Sequence, residues 1–284
     1  METAFAKCEN RSPCPKGDER CEHRDLHLME GAVGFYAGSL EGHDGGGNGV
    51  LLYDLADALG SEFKTSGEDG DSTKGTSKVN LDIIAEFQKM QGYFIEHKCT
   101  AGRHSIDRIA ALLFVPLIQA TLRQAFVMDK RPGTSLTDEA VGAAYAASVI
   151  PIVAKCSHGD GQILFENMKP RRENPTDFSA VKEVFERNYR CLRINCDDVG
   201  GYFYGGLAGI GQHYYDGAEP CPGLREPKHL SFLQKIGIAI GVIVFLMLAC
   251  VCYAFRRLPR RSKRSKKSRR STKAQLHRST GVSA

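Results

Sequence analysis

Between Gly34 and Gly60 the sequence reads GFYAGSLEGHDGGGNGVLLYDLADALG, which gathers two phenols, a histidine and several carboxylates around a run of glycines. Tyr53 and Asp57 are four residues apart and share one face of a helix, while Tyr36 and Glu30 fall on the helix before it. Such a helical hairpin aims phenols and carboxylates at one point. Hard cations prefer oxygen donors, and a trivalent ion binds phenolate at neutral pH by lowering the tyrosine pKa from about 10. The competing reading makes Tyr36 and Tyr53 core aromatics with hydrogen-bonded hydroxyls. The glycines let the chain turn tightly between the helices and leave an oxygen-rich pocket open to solvent.

Two further places carry charge that needs an explanation. Arg123 stands in PLIQATLRQAF, a stretch otherwise largely apolar. It calls for a carboxylate partner, or holds an anion such as carbonate in a bidentate fork. His158 and Asp160 in CSHGDGQ lie at an expected helix N-terminus and could bind a metal or an anion, Asp160 serving equally well as a cap. Other motifs fail. DGDSTKGTSKVN from Asp69 has glycine at the seventh position of a calcium loop instead of the sixth, and Asn80 at the twelfth instead of Glu. GHDGGGNG lacks the lysine of a phosphate loop. No nucleophile elbow, zinc-protease helix or plausible Cys/His nucleophile arrangement in a disulfide-forming setting is present, so we expect no enzyme.

The elements that must position these residues read as helices, with apolar residues three and four apart over 25–40, 50–63 and 79–98. A nearly continuous apolar helix is predicted over 105–130, kinked at Pro116. Others cover 137–156 with Thr137 as N-cap, 161–168, and 177–192 with Asp177 as N-cap. No strand alternation is sustained, and 197–222 reads as an irregular closing loop. The fold class is therefore all-α: a disulfide-stabilised helical ectodomain followed by a single transmembrane helix.

That helix is IGIAIGVIVFLMLACVCYAF, Ile236 to Phe255, without a charge and just long enough for a hydrocarbon core of roughly 30 Å. From Arg256 onward the chain carries 12 Lys and Arg and no Asp or Glu, leaving 26 basic and 33 acidic residues ahead of it. The basic run is a stop-transfer flank that stays cytoplasmic and attracts anionic lipid. The overall net charge of +5 is thus no sign of nucleic-acid binding. Eight cysteines precede the span, Cys8, Cys14, Cys21, Cys99, Cys156, Cys191, Cys196 and Cys221, and an even number outside fits disulfides of open pairing. The organisation becomes a Cys-rich segment over 1–24, a helical extracellular domain over 25–228, the span at 236–255 and a basic tail at 256–284. METAFAKCENRSPC has no apolar h-region, and we read it as the start of a truncated piece. The expected location is the plasma membrane, and endosomes if the protein is internalised.

EGAVGFYAGSLEG, GVLLYDLADALGSEF, VPLIQATLRQAF and VFERNYRCLRINCDDVGGYFY, followed by YYDGAEPC, together resemble the algal iron-assimilation proteins that include the phytotransferrins, or iron-starvation-induced proteins. The resemblance runs from about Glu30 to Cys221. It implies a cell-surface protein that binds ferric iron with carbonate and delivers it by endocytosis. On that footing Tyr36, Tyr53, Asp57 and Glu30 become the first candidates for ferric ligands, with Arg123 as the carbonate contact. The alternative function is a surface adhesion or structural membrane protein that binds another macromolecule.

Overall fold

The computed structural model describes residues 1–10, 26–38, 51–205 and 211–221. Cys14, Cys21, the glycine run after Gly38, the apolar segment 236–255 and the basic tail lie outside the described residues. Helices dominate: α1 (Glu2–Asn10), α2 (Leu26–Ala37), α3 (Leu52–Glu62), α4 (Lys78–Ile95), α5 (Cys99–Leu112), α6 (Val115–Lys130), α7 (Leu136–Cys156), α8 (His158–Met168), α9 (Phe178–Leu192) and the short α10 (Cys196–Val199). Two two-residue strands, β1 (Phe203–Tyr204) and β2 (His213–Tyr214), pair antiparallel after them.

The apolar run expected as one kinked helix is two. Pro116 lacks the amide that would bond to Leu112, and its ring clashes with that carbonyl, so α5 stops at Leu112 and α6 restarts with the proline in its first turn. The helix expected from Thr137 begins one residue earlier. Ser135 is its N-cap, accepting from the Asp138 amide while the Asp138 carboxylate accepts from the Ser135 amide, a complete capping box. Asp177 caps α9 as its sequence predicts, accepting from the Ala180 amide at 3.0 Å.

The core forms around α6. Eleven of its 16 residues are buried, and α3, α7, α9 and α10 all pack on it. At its C-terminal half Phe126 meets Phe178 and Tyr202 edge-on, at 5.2 and 5.3 Å between ring centroids, and Tyr202 stacks on Tyr215 at 4.7 Å. Helices α4 and α5 pack closely together, with α1 against α5 and α2 against α4.

Three disulfides close the described part: Cys8–Cys99, Cys156–Cys191 and Cys196–Cys221. The first ties α1 to α5 and the second the end of α7 to the end of α9. The third folds the closing segment back, and the expected irregular loop contains the small hairpin. Among the described residues, two stretches are long and apolar enough to cross a membrane, Cys99–Lys130 and Leu136–Cys156. The former, interrupted at Leu113 and Phe114, is mostly buried and forms the core. The latter buries only 22% of its most apolar window.

Gly200 joins α10 to the hairpin with φ +69° and ψ −154°, a region open essentially to glycine alone. A Cβ there would stand 2.4 Å from the Phe63 carbonyl oxygen. Gly200→Ala is therefore expected to lower stability by about 1–3 kcal/mol from backbone strain alone, measured by denaturant unfolding of the oxidised protein.

Candidate functional site

Asn80 is the hub of the first cluster. It sits in the first turn of α4, fully buried, behind the N-cap Ser77. Its side-chain carbonyl accepts the Tyr36 hydroxyl of α2. Its amide nitrogen donates to Asp57 Oδ1 at 2.7 Å and to the Tyr53 backbone carbonyl at 2.9 Å, both on α3. Asp57 Oδ1 also accepts the Ser77 amide at 2.7 Å, so this carboxylate neutralises an orphan donor where α4 starts. The rings of Tyr36 and Tyr53 meet edge-on with centroids 5.8 Å apart.

The structure thus brings Tyr36, Tyr53 and Asp57 to one place from two helices. Tyr36 is buried and gives its proton to an amide oxygen, which is the behaviour of a neutral phenol in a core. Tyr53 is half-buried. Asp57 keeps a second oxygen, Oδ2, that takes no hydrogen bond from a described residue. Glu30 lies nearly two turns before Tyr36 on α2, exposed, at the rim of a cavity of about 210 Å³ between α2 and α4 lined by Met29, Val33, Ile84, Phe87 and Gln88.

The other predicted residues are placed elsewhere. Arg123, on α6, donates through Nε to Glu62 Oε2 at 2.6 Å. Burial opposes its charge, but Glu62 more than restores it and holds the guanidinium pKa up. Glu62 ends α3, nine residues and about 13 Å of helix rise beyond Tyr53. The predicted need for a carboxylate partner is met there, and the structure does not bring Arg123 to the tyrosines. Beside this pair Tyr202 accepts from Arg131 Nη2 at 3.5 Å, and burial pushes its phenol up.

His158 is the exposed first residue of α8, and the cap is Ser157, not Asp160. Asp160 turns inward and is enclosed by α9: Arg187 donates to it from Nε and Nη2, the latter at 2.6 Å, and Asn188 Nδ2 donates at 2.6 Å. Both carboxylate oxygens are taken, Oδ1 by Arg187 and Oδ2 by Arg187 and Asn188 together. Asp160 is thus engaged by α9, while His158 stands exposed at the start of α8. The Arg187 bonds, working against burial, hold the Asp160 carboxyl down at about 2.

Sequence reasoning passed over Asn80, Glu62, Arg187 and Asn188. Asn80 stood in view as the residue that disqualified the calcium loop, and its signal was a polar side chain at the apolar-periodic start of a helix.

Comparison with family models, with curated proteins and with solved structures finds no match for this chain.

Two outcomes follow from the hydrogen bonding. Asn80→Ala strips buried partners from the Tyr36 hydroxyl, Asp57 and the Tyr53 carbonyl, and is expected to cost at least about 2 kcal/mol in a denaturant titration. The Asp160 carboxyl lies below its ordinary 3.8 in the folded protein, so its contribution is complete above that value and is lost as pH falls through about 2. Asp160→Asn should be less stable at neutral pH and lose less of its stability between pH 4 and 2 than the parent, as followed by circular dichroism.

Proposed function

We propose that the helical domain is a cell-surface carrier for ferric iron, bound with carbonate as cargo, and that the basic, span-bearing C-terminal part anchors it in the plasma membrane. The observation that carries this reading is that Tyr36 and Asp57, from two helices, hydrogen-bond one buried amide, with the ring of Tyr53 edge-on to Tyr36 beside them. Two phenols and a carboxylate suit a hard trivalent ion. The resemblance of the same stretch to the phytotransferrins supports the choice of cargo.

In this reading the cation meets Tyr53 and Asp57 Oδ2 first. Ligation by Tyr36 requires its proton to leave and Asn80 to give up that donor, so uptake at this phenol is coupled to proton release. Carbonate supplies further oxygens and negative charge. Arg123 is occupied by Glu62, and we assign it no contact with the anion. Acid returns protons to phenolate and carbonate and frees the metal, as endosomal delivery requires.

A second reading rests on α7. From Ala140 to Ala154 that helix has no charged residue, yet Leu136, Ala140, Val141, Ala144, Ala147 and Pro151 are exposed. A contiguous apolar face of this kind marks an interaction surface, which fits a surface adhesion protein.

A ferric titration of the oxidised, detergent-solubilised chain, with and without bicarbonate, separates the two. Iron carriage predicts a saturable tyrosinate-to-iron charge-transfer band that needs bicarbonate, fades on acidification and disappears in Tyr53→Phe. A folded sample without a band leaves the adhesion reading, for which Ala147→Glu should abolish cell attachment and alter stability by no more than about 0.5 kcal/mol.

A further inference from the structure

The turn between α4 and α5 carries a cluster that the tyrosine site does not use. Cys8, His97 and Cys99 each offer one ligand atom, and these atoms lie within 4.8 Å of one another. Cys8 is buried on α1, Cys99 is the first residue of α5, and His97 stands in the turn with φ +56°. That backbone is fixed by the end of α4. The His97 amide donates to the Phe94 carbonyl at 3.2 Å and the Lys98 amide to the Tyr93 carbonyl at 2.7 Å. The imidazole is thereby held against the sulfur, with Nδ1 3.8 Å from Cys99 Sγ. A tetrahedral zinc ion with Zn–S of about 2.3 Å and Zn–N of about 2.0–2.1 Å keeps a sulfur and a nitrogen ligand about 3.6 Å apart.

We propose that Cys8, His97 and Cys99 form a redox-gated site for a thiophilic cation of the zinc class, closed while the two sulfurs are bonded and opened by a dithiol reductant. The dithiol gives up two electrons and two protons as it closes its own disulfide, and the Cys8–Cys99 bond breaks to two thiols. The cation then displaces both thiol protons to solvent and binds two thiolates and the neutral imidazole. Its fourth position is left to water or an external ligand. Cys99, half-buried where Cys8 is buried, receives the attacking thiolate. Once free, its own thiolate lies at the N-terminus of the 14-residue α5, where unpaired amides favour negative charge. The Cα atoms of the two cysteines are 5.8 Å apart, so side-chain rotation suffices to admit the ion. Among the described residues no other three His, Cys, Asp or Glu side chains gather this closely.

The test is a Co²⁺ titration, as a zinc probe, of the full detergent-solubilised chain reduced with a phosphine. Expected is an intense visible band of tetrahedral cobalt with thiolate charge transfer, absent without the reductant and bleached by Zn²⁺. His97→Asn, which tolerates the left-handed backbone, should weaken binding about tenfold or more. His97→Cys should keep the band with stronger charge transfer, and Cys156→Ser with Cys191→Ser should keep it unchanged. Equal cobalt affinity in folded His97→Asn, or no band in the folded reduced protein, overturns the proposal. A ferric band in the oxidised protein is independent of either result.

Discussion

A buried amide must be hydrogen-bonded, because leaving it unpaired away from water costs kilocalories that a marginally stable fold does not have. Gln119 imposes that requirement at the centre of the molecule. It sits in α6 almost without exposure, and its amide nitrogen donates to the Val199 carbonyl at 2.8 Å and to Thr65 Oγ1 at 3.2 Å. One side chain thus fixes the closing segment and the turn after α3 on the same face of α6. Gln124, one turn and a residue further on, donates to the Asp138 carbonyl at 2.9 Å and sets the entry of α7. Apolar packing would allow these helices to slide, whereas the amides admit one register.

The same logic governs the tyrosine cluster. Asn80 holds α2, α3 and the start of α4 together by satisfying three groups, so the geometry that gathers the phenols is also the geometry that stabilises the fold. The placing of the phenols and the stability of the fold are coupled there through one residue. At the other end of α3, Glu62 and Arg123 make a simple ion pair across to α6. Both ends of α3 are therefore pinned by polar contacts, although one face of the helix is apolar.

Much of this was legible from residue order. Three-and-four spacing marked the helices over 50–63 and 79–98, Asp177 announced its own cap, and the even cysteine count signalled disulfides. The break before α6 was visible as Pro116, but periodicity alone could not say that a proline in mid-pattern would divide the helix instead of bending it. Pairings across the chain were not legible. Nothing local in Arg123 names Glu62 as its partner, and nothing in Asp160 names Arg187, 27 residues away. The tyrosine cluster was half visible: the phenols and Asp57 stood out by chemistry, while the asparagine that unites them belongs to a segment whose calcium-loop likeness drew attention elsewhere. The exposure of α7 was hidden because an apolar helix reads the same whether its outer face is covered or bare.

The Cys196–Cys221 bond has a mechanical meaning. The hairpin and its flanking turns lie inside a covalent loop whose two ends are joined at α10, beside the amide contact from α6. A pull on the chain beyond residue 221 passes through sulfur into Cys196 and skips the loop altogether. The load then acts on α10 and on the long helices behind it, and the aromatic stack of Phe126, Tyr202 and Tyr215 is spared from being peeled away one ring at a time.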